Sequence, residues 1–165
     1  MRKRGLVRVA DEVWVATALL HREHPAEQDF TVAEIVERAE KEDILGGGKL
    51  RPGVYVHAMQ HCVANRPPNP GRYRMLLETS GGRRRLFREG DTYHPARRNA
   101  KIHPDRHNLP EKYFPLLDWY QREYAPAKGR PAVVDPILGL RGFGKEIWVG
   151  EEPDEYVRRL RKDWE

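Results

Sequence analysis

Proline and glycine punctuate this chain so often that neither a long helix nor a broad sheet fits between the breaks. Pro25, the run Gly46-Gly47-Gly48, the group Pro67, Pro68 and Pro70, the pair Gly81-Gly82, and then Pro110 and Pro115 divide residues 1–124 into short stretches. Proline lacks the amide a helix interior needs, and glycine weakens helix and strand alike. Short helices and a hairpin are what such spacing permits.

The stretches carry their own start signals. Asp11 is placed to cap a first helix reaching about His24, with Val13, Ala16, Thr17 and Leu20 at helical spacing and Trp14 and Leu19 widening the stripe. Thr31 and Glu34 form a capping box for a second helix, and Phe30 and Ile35 stand at the two positions of a hydrophobic staple. A third helix is expected from about Arg51, with Pro52 at its first position, to about Asn65. Tyr73, Met75 and Leu77 then alternate with their neighbours, and Thr79-Ser80-Gly81-Gly82 turns the chain into Arg83–Arg88, which reads as a hairpin. Asn108, Pro110 and Glu111 open a further helical region to about Tyr124, restarted at Pro115.

Three helices, a hairpin and another helix predict an α+β fold of winged helix-turn-helix type over residues 1–124. A Pro/Ala/Gly linker over 125–134 then leads to an extended tail, 135–165, whose last helix opens at Pro153. At 165 residues the chain has room for one ordinary domain plus such an appendage. No apolar run is long enough to cross a bilayer, and none resembling a secretion signal follows Met1. Cys62 is the single cysteine, so no internal disulfide can form; a reducing, cytoplasmic setting is the expectation.

Charge is unevenly spread. The net charge is +5, yet Arg66–Arg106 holds 11 basic residues against 4 acidic, while 126–165 holds 8 of each. A concentrated basic segment suits a polyanion such as double-stranded DNA, and it equally suits a solubilising face. In a winged helix-turn-helix the third helix lies in the major groove. Here that helix offers Arg51, His57, Gln60, His61 and Asn65 to base edges. The hairpin offers Arg83, Arg84 and Arg85 at its turn, with Arg72, Arg74 and Arg88 on the strands, as phosphate contacts. The same element order also serves protein docking or homodimer formation, so the fold leaves both open.

Chemistry is less evident. His57 and His61 stand four apart with Cys62 beside them, but Cys62 points about 100° away from His61 on a helix. His103-Pro104-Asp105-Arg106-His107 groups imidazoles with an acid, but no paired carboxylates, nucleophile turn or phosphate-cradling glycine loop accompanies it. Neither a catalytic residue nor a metal or other cofactor is expected. An enzyme built on these histidines is the competing reading, and metal analysis of the purified protein is its simplest check.

The tail is built differently. Ile137, Leu138, Leu140, Phe143, Ile147 and Trp148 form an apolar strip interrupted by Gly139, Gly142 and Gly144. Such a strip rests on another surface, either this protein's own body or a partner's. The strings LRGFGKEIW (Leu140–Trp148) and DEYVRRLRKDWE (Asp154–Glu165) resemble the toxin-neutralising segment of VapB-type antitoxins, over about a fifth of the chain. The resemblance implies a PIN-domain ribonuclease as partner, with the segment wrapped along the toxin's groove. Carried over by position, it implies that Arg141 and Lys145 approach the toxin's metal-binding carboxylates. It makes Leu140, Phe143, Ile147, Trp148, Tyr156, Leu160 and Trp164 the apolar anchors. The first domain departs from that family, whose members usually carry a ribbon-helix-helix or swapped-hairpin dimer there.

Overall fold

Helix α1 (Val9–Glu23) is buried on nearly every side in the computed structural model, which describes residues 6–126. Its sequence is apolar around the circumference, and Ala10, Val13, Trp14, Val15, Ala16 and Ala18 all lie in the core. Of the polar groups it buries, Thr17 donates to the Val13 carbonyl at 2.8 Å and Glu12 accepts from Arg51 at 2.6 Å, while the Trp14 indole Nε1 has no hydrogen-bond partner among the described residues. The helix begins earlier than Asp11 suggested. Arg8 is the N-cap, and Asp11 sits in the first turn, where its carboxylate accepts the Arg8 backbone N–H at 2.9 Å.

Helix α2 (Val32–Glu42) starts at the expected capping box. Glu34 N–H donates to the Thr31 hydroxyl at 3.2 Å, and Thr31 N–H donates to the Glu34 carboxylate at 2.7 Å. Phe30 and Ile35 are both buried. The helix ends at Asp43 in the left-handed region (φ 42), whose carboxylate accepts Gly47 N–H at 3.0 Å and Gly48 N–H at 2.8 Å. That bond pattern, with φ 69 at Gly46 and 65 at Gly48, accounts for the glycine run.

The third helix is much shorter than the expected Arg51–Asn65. Helix α3 (Val54–Val56) passes into one π-helical turn, His57–His61, and Pro52 lies in the turn before it. The cause is competition from the sheet. The Cys62 carbonyl accepts from Leu76 N–H at 2.9 Å, and Ala64 N–H donates to the Leu76 carbonyl at 2.7 Å, so residues 62–64 are drawn out of the helix. Strands β1 (Leu76–Glu78) and β2 (Arg84–Leu86) pair antiparallel, with Leu76 opposite Leu86 and Glu78 opposite Arg84, around the Ser80-Gly81-Gly82 turn. Phe30 adds a single antiparallel bridge on the free edge of β2, donating to and accepting from Arg84 at 2.8 and 2.7 Å.

Two tight helical turns, Arg106–Asn108 and Glu111–Tyr113, precede helix α4 (Phe114–Trp119), with Pro115 in its first turn; a π-helical turn, Tyr120–Tyr124, continues it. Tyr120 meets Trp14 edge-on at 5.3 Å, so this segment closes the core over α1. Ala125, assigned to the linker by composition, is buried and accepts Glu89 N–H at 2.7 Å. The body is thus mixed α+β, with four α-helices and one small antiparallel sheet among the described residues. None of those helices is long and apolar enough to cross a membrane. The chain divides after Lys128, and the tail, with the helix expected from Pro153, lies outside the described residues.

Candidate nucleic-acid interface

The hairpin arginines are not free cations. Arg84 is 2% exposed, and its guanidinium donates to the Ala58, Met59 and Gly82 carbonyls with Glu78 at 3.3 Å. Burial lowers its pKa, partly offset by Glu78. Such a group cannot reach a phosphate. Arg83 donates to the Asp29 carboxylate at 2.5 Å and to the Asp29 carbonyl at 2.8 Å. Asp29, hydrogen-bonded by Thr79 and then by Arg83, is held below the usual carboxylate range. Arg85 forms a two-pronged pair with Asp91, both bonds at 2.7 Å. The sequence reading offered all three to DNA; in the fold Arg83 and Arg84 secure the hairpin to the body, and Arg85 ties it to the loop that follows.

The third-helix candidates also divide. Arg51 is held by Glu12 and by the Val7 carbonyl at 3.0 Å. Asn65 mimics a strand residue, donating to the Glu78 carbonyl at 3.0 Å and accepting Glu78 N–H at 2.9 Å. His57 contacts the Gly53 carbonyl through Nδ1 at 2.8 Å, and its ring stands edge-on to His61 at 4.8 Å. His61 Nδ1 is buried without a hydrogen-bond partner among the described residues, and desolvation lowers the pKa of its ring. The outward positions of this helix are Tyr55, Val56 and Met59, at 53%, 43% and 39% exposure, with Gln60 half-buried beside them. Its outer face is therefore mostly apolar.

Arg72 and Arg74 stand apart from that pattern. Arg72 is exposed, with no hydrogen bond or ion pair among the described residues. Arg74 lies over the rings of Tyr93 at 4.3 Å and Phe87 at 5.4 Å, with one bond to the Ala100 carbonyl at 3.3 Å. Their segment is tied to the loop after Pro95: Arg74 N–H donates to the Lys101 carbonyl at 2.9 Å, and Arg97 donates to the Tyr73 carbonyl at 2.7 Å. That brings Arg98 and Lys101, which sequence reasoning did not single out, onto the neighbouring strip. Only their inclusion in the basic surplus pointed to them.

Arg97 anchors this part of the molecule. Fully buried, it donates to five carbonyls: Gln60, His61, Arg66, Pro67 and Tyr73. All five guanidinium N–H groups are thereby matched by one planar fork. Burial lowers its pKa, and no carboxylate pairs with it among the described residues. The proline-rich loop takes its shape from this side chain.

The remaining chemical candidates do not assemble. Cys62 is buried, and desolvation raises its thiol pKa, which keeps it protonated. Asp105 pairs with Lys101, and His103 Nδ1 contacts the Pro104 carbonyl at 2.8 Å. No three His, Cys, Asp or Glu side chains converge as a ligand set among the described residues. Leu140, Arg141, Phe143, Lys145, Ile147, Trp148, Tyr156, Leu160 and Trp164 lie outside those residues. No protein-family model, curated protein or solved structure matches this chain.

Proposed function

We propose that the chain is an antitoxin of two working parts. Residues 135–165 occlude the catalytic cleft of a PIN-domain ribonuclease, and the body is a winged-helix-type module that binds duplex DNA. The observation that carries the first part is the sequence pair Leu140–Trp148 and Asp154–Glu165, an apolar ribbon with interspersed cations followed by an amphipathic helix. Inhibition is by occlusion. Leu140, Phe143, Ile147 and Trp148 hold the ribbon, Tyr156, Leu160 and Trp164 hold the helix, and Arg141 or Lys145 offsets the acidic cluster of the toxin. Truncating a buried aromatic anchor at such an interface costs about 2 kcal/mol or more, so Trp148→Ala weakens inhibition at least roughly tenfold. Titrating the variants against the toxin's RNA cleavage tests this. Undiminished inhibition by a Trp148→Ala, Arg141→Ala double variant rejects it.

The winged-helix reading of the body is supported by the order α1, single bridge at Phe30, α2, α3, β1, β2. The Phe30 bridge extends the two-stranded hairpin on the β2 side, and a parallel bridge between Val63 and Leu76 extends it on the β1 side. A second reading of the same body has its own support: the exposed face Tyr55, Val56 and Met59 suits a protein surface better than a phosphate backbone. On that reading the body docks a protein or a second copy. Tyr55→Glu with Met59→Glu would then abolish self-association in sedimentation while leaving any DNA affinity unchanged.

A further inference from the structure

We infer that the phosphate-contacting face of the body is a strip around Tyr73 formed by Arg8, Arg72, Arg74, Arg98 and Lys101, and that the ligand it takes is the backbone of duplex DNA. This rests on the DNA-binding reading of the body and relocates its contacts away from the hairpin turn.

Three separate segments supply the cations. Arg8, exposed at the N-cap of α1, lies beside Tyr73. Arg72 and Arg74 flank Tyr73 in the strand leading to β1, and Arg98 and Lys101 lie on the loop bonded to that strand. Asn99, in the left-handed region at φ 64, turns the chain between Arg98 and Lys101. Arg8, Arg72, Arg98 and Lys101 are exposed. The acids among these cations are Asp105, which pairs with Lys101, and Asp11, which is buried and engaged with the Arg8 backbone.

Two of these cations have no internal partner among the described residues. Arg83, Arg84 and Arg85 each have a carboxylate, whereas Arg72 and Arg98 have none among the described residues. Like charges on adjoining segments repel one another, and a polyanion relieves that repulsion while releasing its condensed counterions. Arg74, fixed over Tyr93, keeps its plane oriented and has N–H groups left for an oxyanion. The strip adjoins the third helix, since the rings of His57 and Tyr73 are 6.2 Å apart and Tyr73 N–H donates to the His61 carbonyl at 3.3 Å. Duplex DNA is favoured over other polyanions because its phosphate row can lie along the strip while the neighbouring apolar face of Tyr55, Val56 and Met59, with Gln60 beside it, meets thymine methyl groups and base edges in the groove.

The test uses the full-length chain and a short mixed-sequence duplex, with affinity followed by fluorescence anisotropy as salt is raised. Arg72→Ala with Arg98→Ala should lower affinity roughly tenfold or more and make the slope of log K against log salt shallower by about two. Arg122→Ala, removing an exposed cation on the turn after α4, should change neither quantity. Failure of the wild-type chain to bind any duplex would overturn the DNA reading of the body. Wild-type binding with an unchanged slope in the double variant would overturn only the location argued here. Tighter binding to a hairpin RNA than to the DNA duplex would overturn the ligand class.

Discussion

Arg97 is the side chain on which the most backbone depends. Five carbonyls from three parts of the chain converge on it; Gln60 and His61 also accept a backbone N–H, from Val63 and Tyr73, but the Arg66, Pro67 and Tyr73 oxygens have no other donor among the described residues. Arg97→Met should therefore destabilise the protein by about 3 kcal/mol or more, since each stranded buried carbonyl costs of order 1 kcal/mol. Arg97→Lys recovers only part of this, because an ammonium has three donors and no fork. Urea denaturation of both variants measures the order. His21 is the second such residue. Its Nε2 accepts Leu86 N–H at 3.3 Å, and Tyr124 lies against it. Burial, with Arg88 and Arg85 nearby, lowers its pKa to about 4, only weakly opposed by Asp29. The unfolded chain binds this proton near pH 6.5 and the folded one only near pH 4, so stability is full above 6.5 and declines as pH falls toward 4. The loss is at most about 3 kcal/mol. His21→Gln should flatten that part of the curve in denaturation at pH 7.5 and 4.5.

At the level of elements, what was legible in the sequence is what depends on near neighbours. The capping box of α2 needs only Thr31 and Glu34, and it forms as read. Thr31→Ala should cost about 1 kcal/mol, seen as a lower melting temperature with an unchanged end state. The hairpin was legible for the same reason: its turn is two glycines, both at positive φ, between alternating residues. The end of the third helix was not. It is decided by Leu76 and Arg97, which claim the backbone of residues 60–64 from elsewhere in the chain. The site was illegible on the same ground. A run of three arginines looks like a phosphate clamp until Asp29, Glu78 and Asp91 are seen beside it, and Asp29 is 54 residues from Arg83. Arg72 kept its exposure because no acid reaches it among the described residues.

For the whole molecule, the described residues of the body share one core. Trp14, Phe30, Ile35, Leu76, Leu86, Leu117 and Tyr120 belong to one buried cluster, and Tyr124 and Ala125 close it. A chain ending at Lys128 should keep the melting temperature of the full-length protein while losing inhibition of the toxin in RNA-cleavage assays. Loss of the folding transition in calorimetry would assign the tail to this molecule's own interior instead. The surroundings of α1 carry a further implication. A helix covered on nearly all sides has almost no position where a new side chain would go unnoticed. Enlarging a side chain anywhere from Ala10 to Ala18 should therefore cost far more stability than the same change at the exposed positions Glu37 or Glu40 on the outward side of α2.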